Sequence, residues 1–233
     1  MQMKSLPYQN VSCGVTSMRS INLFVEDRGH QVFLNALLRR LAKHYEISIE
    51  ITFSAAKGGH GKVLSKLKEY ITELLDEQEN FPDLLIVSTD GNCKGFLVRK
   101  QEIDITIKGF TGQIVYAIPD PHIERWLLLD SAAFKKVLGK GCNAPAQKCE
   151  RGLYKRLLLE AVRQAGVRPL LGGIEYTEDL VDAMDLGTLE RKEASLGKLL
   201  KDLRHKFQEW ERAEQITSEG PSNKSSEAET PQQ

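Results

Sequence analysis

Three short segments place acidic side chains where the sheet edge of an α/β protein would present them. Leu23-Phe24-Val25 stops at Glu26, the run from Leu84 to Val87 leads through Ser88-Thr89 to Asp90-Gly91-Asn92, and Pro119-Asp120-Pro121-His122 leads to Glu124. An acid that ends an apolar strand sits at the carboxyl edge of a sheet, where open α/β proteins bind their ligands. Carboxylates brought together there suit a hard cation such as Mg²⁺ or Mn²⁺, and a bound cation of that kind suits phosphodiester chemistry. Glu26, Asp90 and Glu124 are the candidate catalytic and metal-binding acids, and Asn92 offers a neutral oxygen beside them. His122, two residues before Glu124, is a candidate proton carrier, and Arg125 and Lys62 are candidates to hold a phosphate.

Each of these positions also has a plainer structural use. Asp90-Gly91-Asn92 suits a turn, because Asp and Asn cap turns with their side chains and Gly accepts a positive φ. Glu124 opens a helix, where an acid offsets the helix dipole. Gly58-Gly59-His60-Gly61-Lys62 lies between a strand and a helix, the right place for a phosphate cradle. It departs from the P-loop pattern at Ala56 and at Val63, where a glycine and a hydroxyl residue belong.

The elements that must carry these residues follow from apolar spacing. Ile21 to Val25, Ile47 to Phe53, Leu84 to Val87 and Gln113 to Ile118 read as strands; the third is a continuous apolar run, typical of a central parallel strand. Between them, 29–45 and 63–75 carry apolar residues at helical spacing, and 94–108 forms a further helical or mixed connection. After Pro121 the chain turns helical, with Trp126 and the leucines behind it directed to a core. This alternation predicts an α/β domain with a central parallel sheet flanked by helices over 19–135. Helices at 153–165, 176–184 and 196–210 form a C-terminal helical appendage within 136–212. Residues 1–18 are expected to be a loose arm, and 213–233, nearly free of apolar side chains, a disordered tail.

Composition narrows the classes. The 233 residues include 32 basic and 32 acidic side chains, so a net charge of zero gives no global steering toward nucleic acid. The absence of an apolar stretch of about 20 residues argues against a membrane span, and the chain reads as soluble and cytoplasmic. Cys13, Cys93, Cys142 and Cys149 form no CxxC pair, so they read as free thiols in a reducing compartment rather than as zinc ligands.

Taken together, the segments resemble the Toprim fold of topoisomerases, primases and OLD-type nucleases, and within it the RloB-like group of bacterial proteins. The resemblance rests on Phe24-Val25-Glu26-Asp27-Arg28-Gly29-His30, on a strand that ends near Asp90-Gly91, and on Pro121-His122-Ile123-Glu124-Arg125-Trp126-Leu127-Leu128. It covers roughly 20–210. It implies a Mg²⁺-dependent nuclease acting on DNA or RNA in defence against phage, working in a hetero-oligomer with an ABC-type ATPase. The family's Asp-x-Asp-Gly appears here with Ser88 in one acidic position, or with Asn92 in the other. The alternative is therefore a Toprim module that no longer cuts and serves as a binding or regulatory subunit of an ATPase complex.

Overall fold

The computed structural model describes residues 18–56, 58–77 and 81–219. Four parallel strands form one sheet: β1 (Arg19–Val25), β2 (Ile49–Ala55), β3 (Leu84–Ser88) and β4 (Ile114–Ala117), in the order β2-β1-β3-β4. The parallel α/β sheet expected from the alternating pattern is what the chain builds. Register follows the period of two along a strand. Ile21, Leu23 and Val25 face one side with Leu84 and Ile86, whereas Phe24 faces the other with Leu85 and Val87.

Both faces are covered. Helix α1 (Arg28–His44) buries Phe33, Leu34, Leu37, Leu38 and Leu41 against the first face, at the helical spacing its sequence shows. Helices α2 (His60–Glu77) and α3 (Phe96–Thr106) close the second face with Val63, Leu67, Ile71 and Ile103. The chain runs from β1 outward to β2 and then returns past β1 to β3. The helices that follow β1 and β2 therefore lie on opposite faces, and a topological switch point falls between β1 and β3. Glu26 and Asp90 sit at the carboxyl side of that crevice.

The helices after β4 pack into the same core as α1. They are α4 (Ile123–Leu127), α5 (Ser131–Leu138), α6 (Leu153–Gln164), α7 (Thr177–Ala183), α8 (Leu186–Lys192) and α9 (Ala194–Glu219), with a short 3-10 turn at Ile174–Tyr176. Leu158, Val162, Leu180, Leu189, Leu200 and Phe207 share one cluster with the β1, β3 and β4 side chains. Trp126 is fully buried against Phe33, ring centroids 5.3 Å apart, and its indole N–H donates to Ser195 Oγ at 3.0 Å. The helical region thus completes the core of the sheet domain, because α1 needs an apolar partner on its far side.

Two expectations require correction. Helix α9 continues to Glu219, so 213–219 are helical rather than disordered; this amphipathic helix runs on past its last core residue, Trp210. Cys93 and Cys149 are not free thiols but a disulfide, with Cα atoms 5.8 Å apart. The fold brings the loop after β3 against the irregular segment that precedes α6, a proximity invisible across 56 residues of sequence. Cys142 is free and buried, as expected. Cys13, the rest of residues 1–17, expected to form an arm, and residues 220–233, expected to form a tail, lie outside the described residues.

Candidate functional site

The site forms where the carboxyl ends of β1, β3 and β4 meet the starts of α1 and α4. Asp27 caps α1, its Oδ1 accepting the His30 backbone N–H at 3.2 Å. That cap turns His30 inward, where it is fully buried. His30 Nδ1 donates to Asp27 Oδ1 at 2.9 Å, and Nε2 stands 3.2 Å from Asp90 Oδ1. Both ring nitrogens lie within ion-pair distance of carboxylates, Nδ1 hydrogen-bonded to Asp27 and Nε2 near Asp90 without an aligned hydrogen bond, and two facing anions favour the doubly protonated ring. Burial alone would lower the pKa of His30, but Asp27 and Asp90 outweigh it and raise it to about 10.

Asp90 continues the chain of contacts. Its Oδ1 accepts the Ile123 N–H at 3.1 Å, and its Oδ2 accepts from His122 Nδ1 at 2.8 Å. Burial pushes Asp90 up, yet the hydrogen bonds and charges of His122 and His30 prevail and hold it well below the usual carboxylate range. His122 is raised by its hydrogen bond to Asp90, against the effect of burial. Its side chain keeps 19% of its surface exposed, so it is the member of the Asp27–His30–Asp90–His122 row whose titrating imidazole reaches solvent. With Nδ1 held by Asp90, Nε2 is the nitrogen left to meet a substrate.

Backbone contacts fix this geometry. The Gly91 N–H donates to Pro119 O at 2.7 Å and the Asn92 N–H to Pro121 O at 3.0 Å, so the loop after β3 is laced to the segment that carries His122. A Cβ on Gly91 would come within 2.6 Å of Asp120 Oδ1, which explains why the residue after Asp90 is a glycine. On the far side, Arg99 Nε donates to Asp90 O at 3.1 Å, and Arg99 Nη1 donates to Glu102 at 2.9 Å.

The acids singled out from sequence take different roles. Glu26 Oε2 accepts from Thr89 Oγ1 at 2.6 Å and from the Asp90 N–H at 3.0 Å, tying β1 to β3 across the switch point. Glu124 is buried, 4% exposed, and its Oε2 has no partner. Its Oε1 lies 3.6 Å from Lys155 Nζ, which is also 3.8 Å from Asp27 Oδ2. Burial raises the pKa of Glu124, with Lys155 opposing.

Glu26, Asp90 and Glu124 therefore do not fit one shared ion as they stand. Both Asp90 oxygens already accept hydrogen bonds, and the Lys155 ammonium supplies the cation between Asp27 and Glu124. Among the described residues no three His, Cys, Asp or Glu side chains are grouped so that they could hold a metal. Asn92 is exposed, with φ at 47°, and its side-chain N–H₂ donates back to Asp90 O at 3.5 Å.

The phosphate-binding candidates divide. Arg125 is buried and paired with Glu193 Oε2 at 2.6 Å, so it is not available to a substrate. The single turn of α4 points it into the α8–α9 junction. Lys62 is exposed in the first turn of α2. The glycine loop before it packs against an acid, since a Cβ on Gly59 would lie 3.7 Å from Glu26 Oε1. A carboxylate facing that loop opposes a phosphate there.

Residues 25–204 match the family model described as "Domain of unknown function (DUF4276)". The chain belongs to the DUF4276 family. No curated protein and no solved structure matches it. The matched span of this DUF4276 chain begins at the last residue of β1 and ends within α9, so it takes in the whole row from Asp27 to His122 and Lys155.

The sequence did not reveal Asp27, His30 or Lys155 as members of the site. Asp27 and His30 had a local signal: an N-cap acid three residues before a histidine. Lys155 had none, because it arrives from α6, far along the chain.

Proposed function

We propose that this DUF4276 chain hydrolyses phosphodiester bonds in nucleic acid at the carboxyl edge of its sheet, with His122 as the group that moves the proton. The observation that carries this reading is the row Asp27–His30–Asp90–His122, which ends on the imidazole of the row that reaches solvent. Asp90 fixes the ring by accepting from Nδ1 and favours its protonated form. A protonated His122 binds an anionic phosphate and gives its Nε2 proton to the leaving oxygen as a water attacks phosphorus, the new P–O bond replacing the one that breaks and the water's proton passing to solvent; the proton donation is worth about 10²–10⁴ in rate. The Lys155 ammonium, 63% exposed, adds positive charge beside it. Glu26 acts through Asp90, holding its backbone N–H and hence the position of the carboxylate.

The resemblance to Toprim-fold nucleases supports phosphodiester cleavage as the reaction, not the His122 step, and from it come the wider proposals. These are an effector in defence against phage and an ABC-type ATPase as partner in a hetero-oligomer. A Mg²⁺ or Mn²⁺ ion belongs to the proposal as one arriving with the substrate's phosphates, where it would neutralise charge on their oxygens. Residence in the cytoplasm is proposed from that resemblance alone, against the direction in which the Cys93–Cys149 disulfide points; no helix among the described residues is long and apolar enough to cross a membrane.

One observation favours a second reading, a module that binds without cutting. Ser88, standing where the Toprim pattern has an acid, is fully buried and donates to Ala117 O at 2.9 Å, so it adds nothing to the site. The two readings separate when purified protein is incubated with single- and double-stranded DNA and RNA, with and without Mg²⁺ or Mn²⁺, alone and with the ATPase. Cleavage products in any arm support hydrolysis. Their absence from every arm, with binding retained, supports the module that only binds.

A further inference from the structure

Strand β2 ends the sheet, and its outer side meets no other strand among the described residues. The Arg19 N–H donates to Ser48 O at 2.8 Å and the Ala56 N–H to Val25 O at 2.9 Å, so the even-numbered residues along β2 turn their backbone groups toward β1. The N–H and C=O groups of Ile49, Ile51, Phe53 and Ala55 therefore point outward. Among the described residues only Ala55 O of this set has a partner, Lys66 Nζ at 2.9 Å. The strand carries no proline and no lysine, the usual guards of a free edge. The opposite edge strand, β4, has α9 packed against it. On the α1 side of β2, Ile49 and Ile51 reach the core, while Phe53 is left 52% exposed.

We infer that this edge pairs with the β2 edge of a second copy of the chain, antiparallel about a twofold axis at Thr52, joining the two four-stranded sheets into one. The residues of β2 set both partner and register. Centred on Thr52, the whole strand is matched: Ile49 lies opposite Ala55, Glu50 opposite Ser54 and Ile51 opposite Phe53. Ile51 and Phe53 both belong to the outward set, so they exchange N–H and C=O bonds as a closely spaced pair. Each Phe53 gains the Ile51 of the other copy, an aromatic against a β-branched side chain, which stabilises neighbouring strands. Glu50, the strand's charged residue, meets a serine. A centre at Glu50 would set two carboxylates against each other, and a centre at Ile51 or Phe53 leaves part of the strand unmatched. The edge is thus complementary to itself. The axis stands perpendicular to the sheet, so both α1 helices lie on one face and the two carboxyl edges point in opposite directions. Each copy keeps its own site, and the pairing does not depend on what that site does.

Light scattering after size exclusion of the full chain, over a range of micromolar concentrations, tests this. The expected mass is twice that of one chain. Phe53→Lys, at an exposed position, should give the mass of one chain at the same concentrations, with its melting curve showing that it is folded. Thr52→Cys sets two thiols across the axis, where the Cα atoms of a non-hydrogen-bonded pair are about 4.5 Å apart, within the span of a disulfide. Mild oxidation with copper phenanthroline should link two chains of this variant, and should link neither the parent protein nor Glu50→Cys, whose thiols lie far apart in this register. A single-chain mass for the parent at every concentration overturns the inference and leaves the edge to another segment of the chain or to a different protein. A dimer that persists in folded Phe53→Lys also overturns it, as does one in which Thr52→Cys links no better than Glu50→Cys.

Discussion

Asp90 and His122 meet at 2.8 Å across the carboxyl edge of the sheet, one carried by the loop after β3 and the other by the segment after β4. Their hydrogen bond joins a fully buried histidine to a solvent-reaching one through a single carboxylate. Replacing Asp90 by Asn removes the charge that raises His122, so the imidazole should titrate lower than in the parent protein. It also leaves the His30 cation without one of its two counter-charges, a loss of about 3–5 kcal/mol for a broken buried pair. Histidine NMR titration and urea unfolding read the two effects separately.

His30 makes stability depend on alkaline pH. Its pKa in the fold, about 10, lies above the ordinary 6.5, so its ion pairs with Asp27 and Asp90 stabilise fully below about 6.5 and progressively less as pH rises toward 10. The melting temperature is therefore expected to fall from neutral pH to pH 10. In His30→Gln the protein should be less stable at neutral pH and its melting temperature flatter over the same range. A parent protein with no alkaline decline would remove the buried imidazolium from the account.

How much of this was legible in the chain can be judged residue by residue. Leu84 to Val87 announced a central strand, because only a strand covered on both faces tolerates an unbroken apolar run. Glu26 and Asp90 were recognisable as strand-end acids, and the structure places them at adjoining strands. Helices α5 and α8 were not recognisable: at 8 and 7 residues they are too short for an amphipathic period to repeat. The contact of His30 with Asp90 was hidden because it joins residues 60 positions apart, and His30 reads locally as a polar residue in the first turn of a helix. Arg125 misled for a related reason. Its partner Glu193 belongs to a junction that forms only when α9 folds back toward the sheet.

That junction gives a third prediction. Arg125, Glu193, Ser195 and Trp126 form one polar chain inside an apolar cluster, with Glu193 accepting from Ser195 Oγ at 2.9 Å. Arg125→Ala strands the buried Glu193 carboxylate and should cost about 3–5 kcal/mol. A double-mutant cycle with Glu193→Gln measures the coupling; additive effects would show that the two side chains do not interact.

The Cys93–Cys149 bridge gives a fourth. It closes a loop across 56 residues and ties the Asp90 loop to the segment before α6. Reduction, or Cys149→Ser, should lower stability by about 2–4 kcal/mol, chiefly by freeing the unfolded chain. Thermal melts with and without a phosphine reductant check it, and the serine variant should be insensitive to the reductant.

The central claim is that His122 transfers the proton in phosphodiester cleavage. His122→Asn keeps a side-chain N–H for Asp90 but removes the titrating nitrogen. The most direct measurement is the single-turnover rate of this variant against the parent protein on a labelled single-stranded oligonucleotide, in the condition where the parent cuts. The account predicts a fall of about 10²–10⁴ with the melting temperature nearly unchanged. A folded His122→Asn protein that cuts at the parent's rate contradicts it.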